Sequence, residues 1–123
     1  MPKKTEDKKN FDQLQTDAEA KRKLLEEKYK TKVKVAVFKA DADDTPCVVY
    51  FRSANTFTKM QCMDLAAQSP MKASRTLFDA TVIREESDAR VFMQDNDDDF
   101  YYLGAVQYCG EMVAYAVDIL KKK

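Results

Sequence analysis

Apolar residues change their spacing several times along the chain, and each change marks an element. From Phe11 to Tyr29 they recur at three-, four- and seven-residue steps (Phe11, Leu14, Ala18, Leu25, Tyr29), which predicts a helix with a narrow apolar stripe on a charged surface. Such a helix either lies on the domain along one edge or pairs with another chain. The period then shortens to two. Val33, Val35 and Val37 alternate with Lys34 and Ala36, as in a half-buried strand, and Cys47-Val48-Val49-Tyr50-Phe51 is a β-branched and aromatic return strand. Between them Asp41-Ala42-Asp43-Asp44-Thr45-Pro46 is turn chemistry: short side-chain acceptors, then a proline that cannot donate to a ladder. Two strands alone are marginal, so this hairpin must lean on helices.

Helical spacing returns after the hairpin. Ser53 or Asn55 can cap a helix that carries Phe57, Met60, Met63 and Leu65 to Ala67. Ser69-Pro70 restarts the chain as a second helix with Ala73, Leu77 and Phe78: serine is expected as its side-chain cap, and proline at the first helical position sacrifices no hydrogen bond. Arg84 to Asp88 reads as a charged connection, and Ala89 to Met93 is the candidate for a short third strand. The last helix has acids from Asp95 to Asp99 at its start and Lys121 to Lys123 beyond its end, both favourable to the macrodipole. Along it Leu103, Val106, Gly110, Val113, Val117 and Leu120 follow alternating three- and four-residue steps, a heptad seam. Glycines at 104 and 110 predict close approach of another backbone.

The expected fold is α+β: a β-hairpin packed against helices, with a charged N-terminal helix and a long C-terminal helix. The organisation follows as a mobile charged arm over residues 1–10, an amphipathic helix over 11–31 and an α+β domain over 32–123.

Charge narrows the function classes. Twenty-one basic residues balance twenty-one acidic ones, so a protein that coats nucleic acid or an anionic membrane is not expected. Cys47, Cys62 and Cys109 are odd in number, widely spaced and surrounded by apolar neighbours, which suits small buried side chains in a reducing compartment. With no apolar run of membrane or signal-peptide length, a cytoplasmic location is expected.

Catalytic chemistry has little to work with. The chain has no histidine, hence neither the commonest general base nor a Ser-His or Cys-His pair, and two glycines cannot build a phosphate-cradling loop. No enzyme activity, cofactor or metal is expected. Asp95, Asp97 and Asp99 mimic the opening of a calcium loop. The match ends at Phe100, where a sharp-turn glycine belongs, and at Val106, where a bidentate glutamate belongs. Asp41, Asp43 and Asp44 fail in the same way at Pro46. Lys3, Lys4, Lys8 and Lys9 are interrupted by Glu6 and Asp7 and read as a solvated arm.

Taken as an ordered series, residues 48–120 resemble the small tail assembly chaperone-like proteins of phages and prophages, particularly those of Bacteroides-type hosts. The pieces that carry the resemblance are Tyr50-Phe51-Arg52-Ser53, Gln68-Ser69-Pro70-Met71-Lys72-Ala73, Leu77-Phe78 with Val82-Ile83, and Asp97-Asp98-Asp99-Phe100, followed by Lys121-Lys122-Lys123. The resemblance implies a non-catalytic protein that binds the long helical tape measure protein in the host cytoplasm and yields it to tail tube subunits. The alternative is a small structural or adaptor protein that remains in the virion. Partner-binding candidates are the stripe of Phe11, Leu14, Leu25 and Tyr29 and the seam of Leu103, Val106, Gly110, Val113, Val117 and Leu120. Met60, Met63, Met71 and Met112 would supply adaptable packing. Both faces look under-employed in a monomer, so a homo-oligomer formed through helices is also expected.

Overall fold

In the computed structural model, which describes residues 2–39, 45–94 and 99–121, the two-residue alternation becomes strand β1 (Val33–Phe38), paired antiparallel with β2 (Cys47–Arg52). Side chains are described for those residues except 2–10, 116 and 118–121. Helix α1 (Pro2–Tyr29) precedes the hairpin; α2 (Thr56–Gln68), α3 (Pro70–Thr81), a 3₁₀ turn (Ala89–Phe92) and α4 (Phe100–Lys121) follow it. The architecture is α+β.

Register decides how the layers stack. Val35 faces Tyr50 and Val37 faces Val48, so these side chains share one face; Lys34, Ala36 and Phe38 face Phe51, Val49 and Cys47 on the other. The first face packs on α1 through Ala18, Leu25 and Tyr29, joined by Val33 and Ile83. The second faces the larger core, built with α2, α3 and α4. The hairpin is therefore the middle of three layers, covered on both sides. This answers the open question for the Ala18, Leu25 and Tyr29 part of the α1 stripe: it lies on its own domain. Arg22 and Glu26 fasten the helix further, since the Arg22 guanidinium donates to the Val33 carbonyl (3.3 Å) and the Val33 N–H donates to Glu26 (3.1 Å).

Two expectations need correction. Helical backbone begins at Pro2, not near Phe11, so the segment read as an arm is helical; its lysines, glutamate and glutamine-rich continuation are good helix formers. The third strand is also absent where it was expected. Residues 89–92 form a 3₁₀ turn because the Asp88 carboxylate accepts from the Arg90 N–H at 2.9 Å and tightens the chain. Cover for the outer edge of β2 comes instead from residues 82–88. Ile83 N–H donates to the Tyr50 carbonyl (2.8 Å), Asp88 N–H to the Val48 carbonyl (2.9 Å), and Tyr50 N–H to the Ser87 hydroxyl (3.0 Å). An isolated bridge joins Phe51 to Val82. An edge that would otherwise invite pairing is closed.

Local chemistry sets the helix boundaries. Asn55 caps α2 by accepting from the Thr58 N–H at 2.8 Å, and Pro70 opens α3 after Ser69, whose hydroxyl makes no cap bond. Past the end of α1, Lys30 adopts φ 55°, the left-handed region in which a β-carbon is penalised. Lys30→Gly should therefore raise the unfolding free energy by about 0.5–1 kcal/mol, read as a higher urea midpoint at unchanged slope.

Both glycines of α4 are close-approach sites, with partners inside the same chain. A β-carbon at Gly104 would stand 2.6 Å from Cε2 of Phe38, whose ring also lies 5.9 Å from that of Tyr101. At Gly110 it would stand 2.6 Å from the Ser74 hydroxyl, which is held by its bond to the Pro70 carbonyl (2.9 Å). The approach expected between chains at Gly110 is thus the crossing of α4 over α3. Gly110→Leu should destabilise the fold by about 1–3 kcal/mol through overpacking, and urea unfolding should show that loss equally at low and high protein concentration.

Candidate functional site

The structure separates the residues singled out as partner-binding into core and surface. Leu25 is buried and Tyr29 partly buried against the hairpin, while Phe11 and Leu14 are half-buried further along α1. On α4, Val106 and Val113 are buried in the main core, Gly110 and Val117 are half-buried, and Leu103 is 44% exposed. The Leu120 side chain lies outside the described residues, as do Asp95, Asp97 and the Asp41–Asp44 turn weighed for calcium. Among the described residues no three His, Cys, Asp or Glu side chains gather as a metal site, and no helix is long and apolar enough to cross a membrane.

All three cysteines are buried and unpaired with one another. Burial pushes the Cys47 and Cys109 thiols up to about 12, and moves Cys62 in the same direction. Since the thiolate is the reactive form, none of the three is an activated nucleophile. Alkylation by iodoacetamide at pH 8 should be negligible in the folded protein and complete for all three in urea, followed by mass spectrometry.

Two clefts open on the helical side of the molecule. The first is a groove of about 630 Å³ between the α2–α3 junction and α4. Leu103, Gly110, Val113 and Val117 form its α4 wall, with Met71 and Ala66 opposite. The outward half of the heptad seam is therefore open even though Val106 is core. Met71 is 62% exposed, leaving a flexible apolar side chain at the rim.

The second cleft, about 490 Å³, lies between the open end of the hairpin, α2 and α4. Phe51, Cys62, Leu77 and Val113 make a buried apolar floor, and Met63 and Met112 line it. Its rim is basic: Lys32 precedes β1, Lys34 lies on β1, Arg52 ends β2 and Lys59 lies in the opening of α2. All four are exposed, and none makes a side-chain hydrogen bond or ion pair with another described residue. Among the described residues no acidic side chain lines this cleft. The cations are scattered along the chain and so are not legible in the sequence. The hairpin register brings Lys32, Lys34 and Arg52 to its open end, Lys34 beside Phe51 and Arg52 across from Val33 on the opposite face, and α2 sets Lys59 beside them.

No protein-family model, curated protein or solved structure matches this chain.

Proposed function

We propose that this chain is a non-catalytic binding protein that acts as a tail assembly chaperone, holding a tape measure protein in the host cytoplasm until tail tube subunits replace it. The resemblance of residues 48–120 supplies the specific partner. The observation that carries the reading is the groove along α4, where part of the predicted seam is left open and faced by an exposed methionine. An amphipathic client helix presents apolar side chains at three- and four-residue steps, and such a groove takes them. Methionine adapts to successive client side chains without a fixed fit. Half-buried and exposed groove residues also offer a face for a second copy of the chain, which a client would displace.

Co-expression with segments of the candidate tape measure protein tests this. A tagged chain should co-purify with helical segments, and Leu103→Glu or Met71→Glu should abolish capture while the melting temperature stays unchanged. Mass spectrometry of purified virions should not find the protein. Stoichiometric recovery in virions would favour the adaptor role, and no capture of any tail component would end the chaperone reading.

A further inference from the structure

The basic-rimmed cleft differs in charge from the apolar groove. We propose that it takes an acidic amphipathic segment of the partner, with apolar side chains against Met63, Met112 and Tyr115 and carboxylates at Lys32, Lys34, Arg52 and Lys59. This deepens the reading of the chain as a binder of a helical protein and rests on it.

Charge complementarity is the first argument. The chain as a whole is neutral, yet this mouth concentrates four cations and, among the described residues, no acid. Several cations elsewhere face acids: Lys21 and Lys28 with Glu86, Arg22 with Glu19 and Glu26, Arg75 with Asp79, Arg90 with Asp88. Lys23, Lys30 and Lys72 are also exposed without such a pair, but they do not gather around one cleft. Helix α2 adds to the imbalance. Its opening turn contains no acid, and Lys59 sits near the positive end of the macrodipole, where a cation is unfavourable. Bound carboxylates would relieve that repulsion.

The spread of the cations argues for a chain over a small molecule. A single headgroup is recognised by donors converging on one point. Here the four charges stand on three stretches around the opening, the start of β1, the end of β2 and the first turns of α2, matching several carboxylates spaced along a peptide. The lining supplies what a purely electrostatic patch lacks: half-buried Met63 and Met112 and the exposed Tyr115 line the cleft above buried Phe51, Cys62 and Leu77, so apolar side chains between the acids have a surface to cover.

The full-length chain should be titrated, by fluorescence anisotropy, with two labelled 20-residue designed peptides that share a leucine stripe and differ only in flanks of glutamate or lysine. The glutamate peptide should bind at least tenfold more tightly, and its affinity should fall as salt rises through the range where the Debye length shrinks. Lys34→Glu/Arg52→Glu should weaken the glutamate peptide at least tenfold and improve the lysine peptide. Lys59→Glu, a second exposed position, should act in the same direction, and thermal melts should be unchanged for all variants. Equal affinity for the two peptides, or charge-reversed variants that keep the glutamate peptide, would overturn the proposal. So would binding of dodecanoate with no binding of either peptide, which would make the cleft a small-amphiphile site. The two readings fail separately: capture of tape measure segments that persists in Lys34→Glu/Arg52→Glu sinks the acidic-segment proposal alone. Selective binding of the glutamate peptide without capture of any tail component sinks the chaperone assignment alone.

Discussion

Phe78→Ala should remove about 3–5 kcal/mol of unfolding free energy, the largest loss expected from any single truncation. Phe78 is 1% exposed and is the hub of the aromatic core. Its ring meets Tyr102 edge-on at 5.5 Å, Phe51 at 6.2 Å and Phe92 at 6.1 Å. Those partners belong to α4, β2 and the 3₁₀ turn, so one cavity would loosen three contacts of α3 together. Domains of this size are stable by about 5–15 kcal/mol, and the variant should unfold at a far lower urea concentration. Phe78→Leu, which keeps most of the volume, should cost under about 1.5 kcal/mol. Equal losses for the two variants would show that the site is not packed as described.

Arg90→Met should cost about 2–3 kcal/mol, more than is usual for a residue in an ion pair. The guanidinium grips both Asp88 oxygens (3.1 and 2.9 Å) and also donates to the carbonyls of Thr45 (3.0 Å) and Pro46 (3.1 Å). It lies 4.3 Å from the Tyr101 ring centroid as well, a favourable cation–π distance. One side chain thus joins the end of the hairpin turn, the 3₁₀ turn and α4. Methionine would fill space but leave those acceptors without donors. By contrast Arg75→Met, which breaks an exposed pair at 4.0 Å, should change stability by less than about 0.5 kcal/mol. A pH dependence accompanies the clamp. Hydrogen bonds from Arg90 hold the Asp88 carboxyl below the usual aspartate range despite partial burial. A depressed folded pKa contributes stability above the unfolded value of about 3.9, and that contribution is lost as pH falls through the folded value. Wild-type stability should therefore drop more steeply below about pH 4 than that of Arg90→Met, measured by urea unfolding across that range.

What could be read from the residues was decided by how local its cause is. Asn55 and the Ser69-Pro70 junction act within a turn of their own positions, so the boundaries of α2 and α3 were legible. The two strands and the long last helix were legible from period alone. The destination of α1 was not, because its stripe of Ala18, Leu25 and Tyr29 says what must be covered and not by what. A clue lay in β2: Cys47 to Phe51 is apolar at both parities, as befits a strand covered on two faces. Giving that run its full weight would have assigned α1 to the second face and the Lys34 side to the core. The pairing made by residues 82–88 left no alternation to detect, since it uses the backbone N–H groups of Ile83 and Asp88 and the Ser87 hydroxyl in a charged segment. The basic rim depends on register, and so appears only once the hairpin is built.

The layering also constrains the order in which the chain can finish folding. Helix α1 is made first, yet the surface it covers includes Val48, Tyr50 and Ile83, which are made later. Between Tyr29 and Ile83 the ribosome adds 54 residues, about 3–11 s at bacterial-to-eukaryotic elongation rates of roughly 5–20 residues per second. Until Arg52 is added, 23 residues after Tyr29, Leu25 and its neighbours lack the complete hairpin they are matched to, and Ile83 joins that surface only at the end of the interval. The sparse stripe and charged remainder of α1 suit that wait: a broader apolar face would be better covered in the end and more prone to find the wrong nascent partner first.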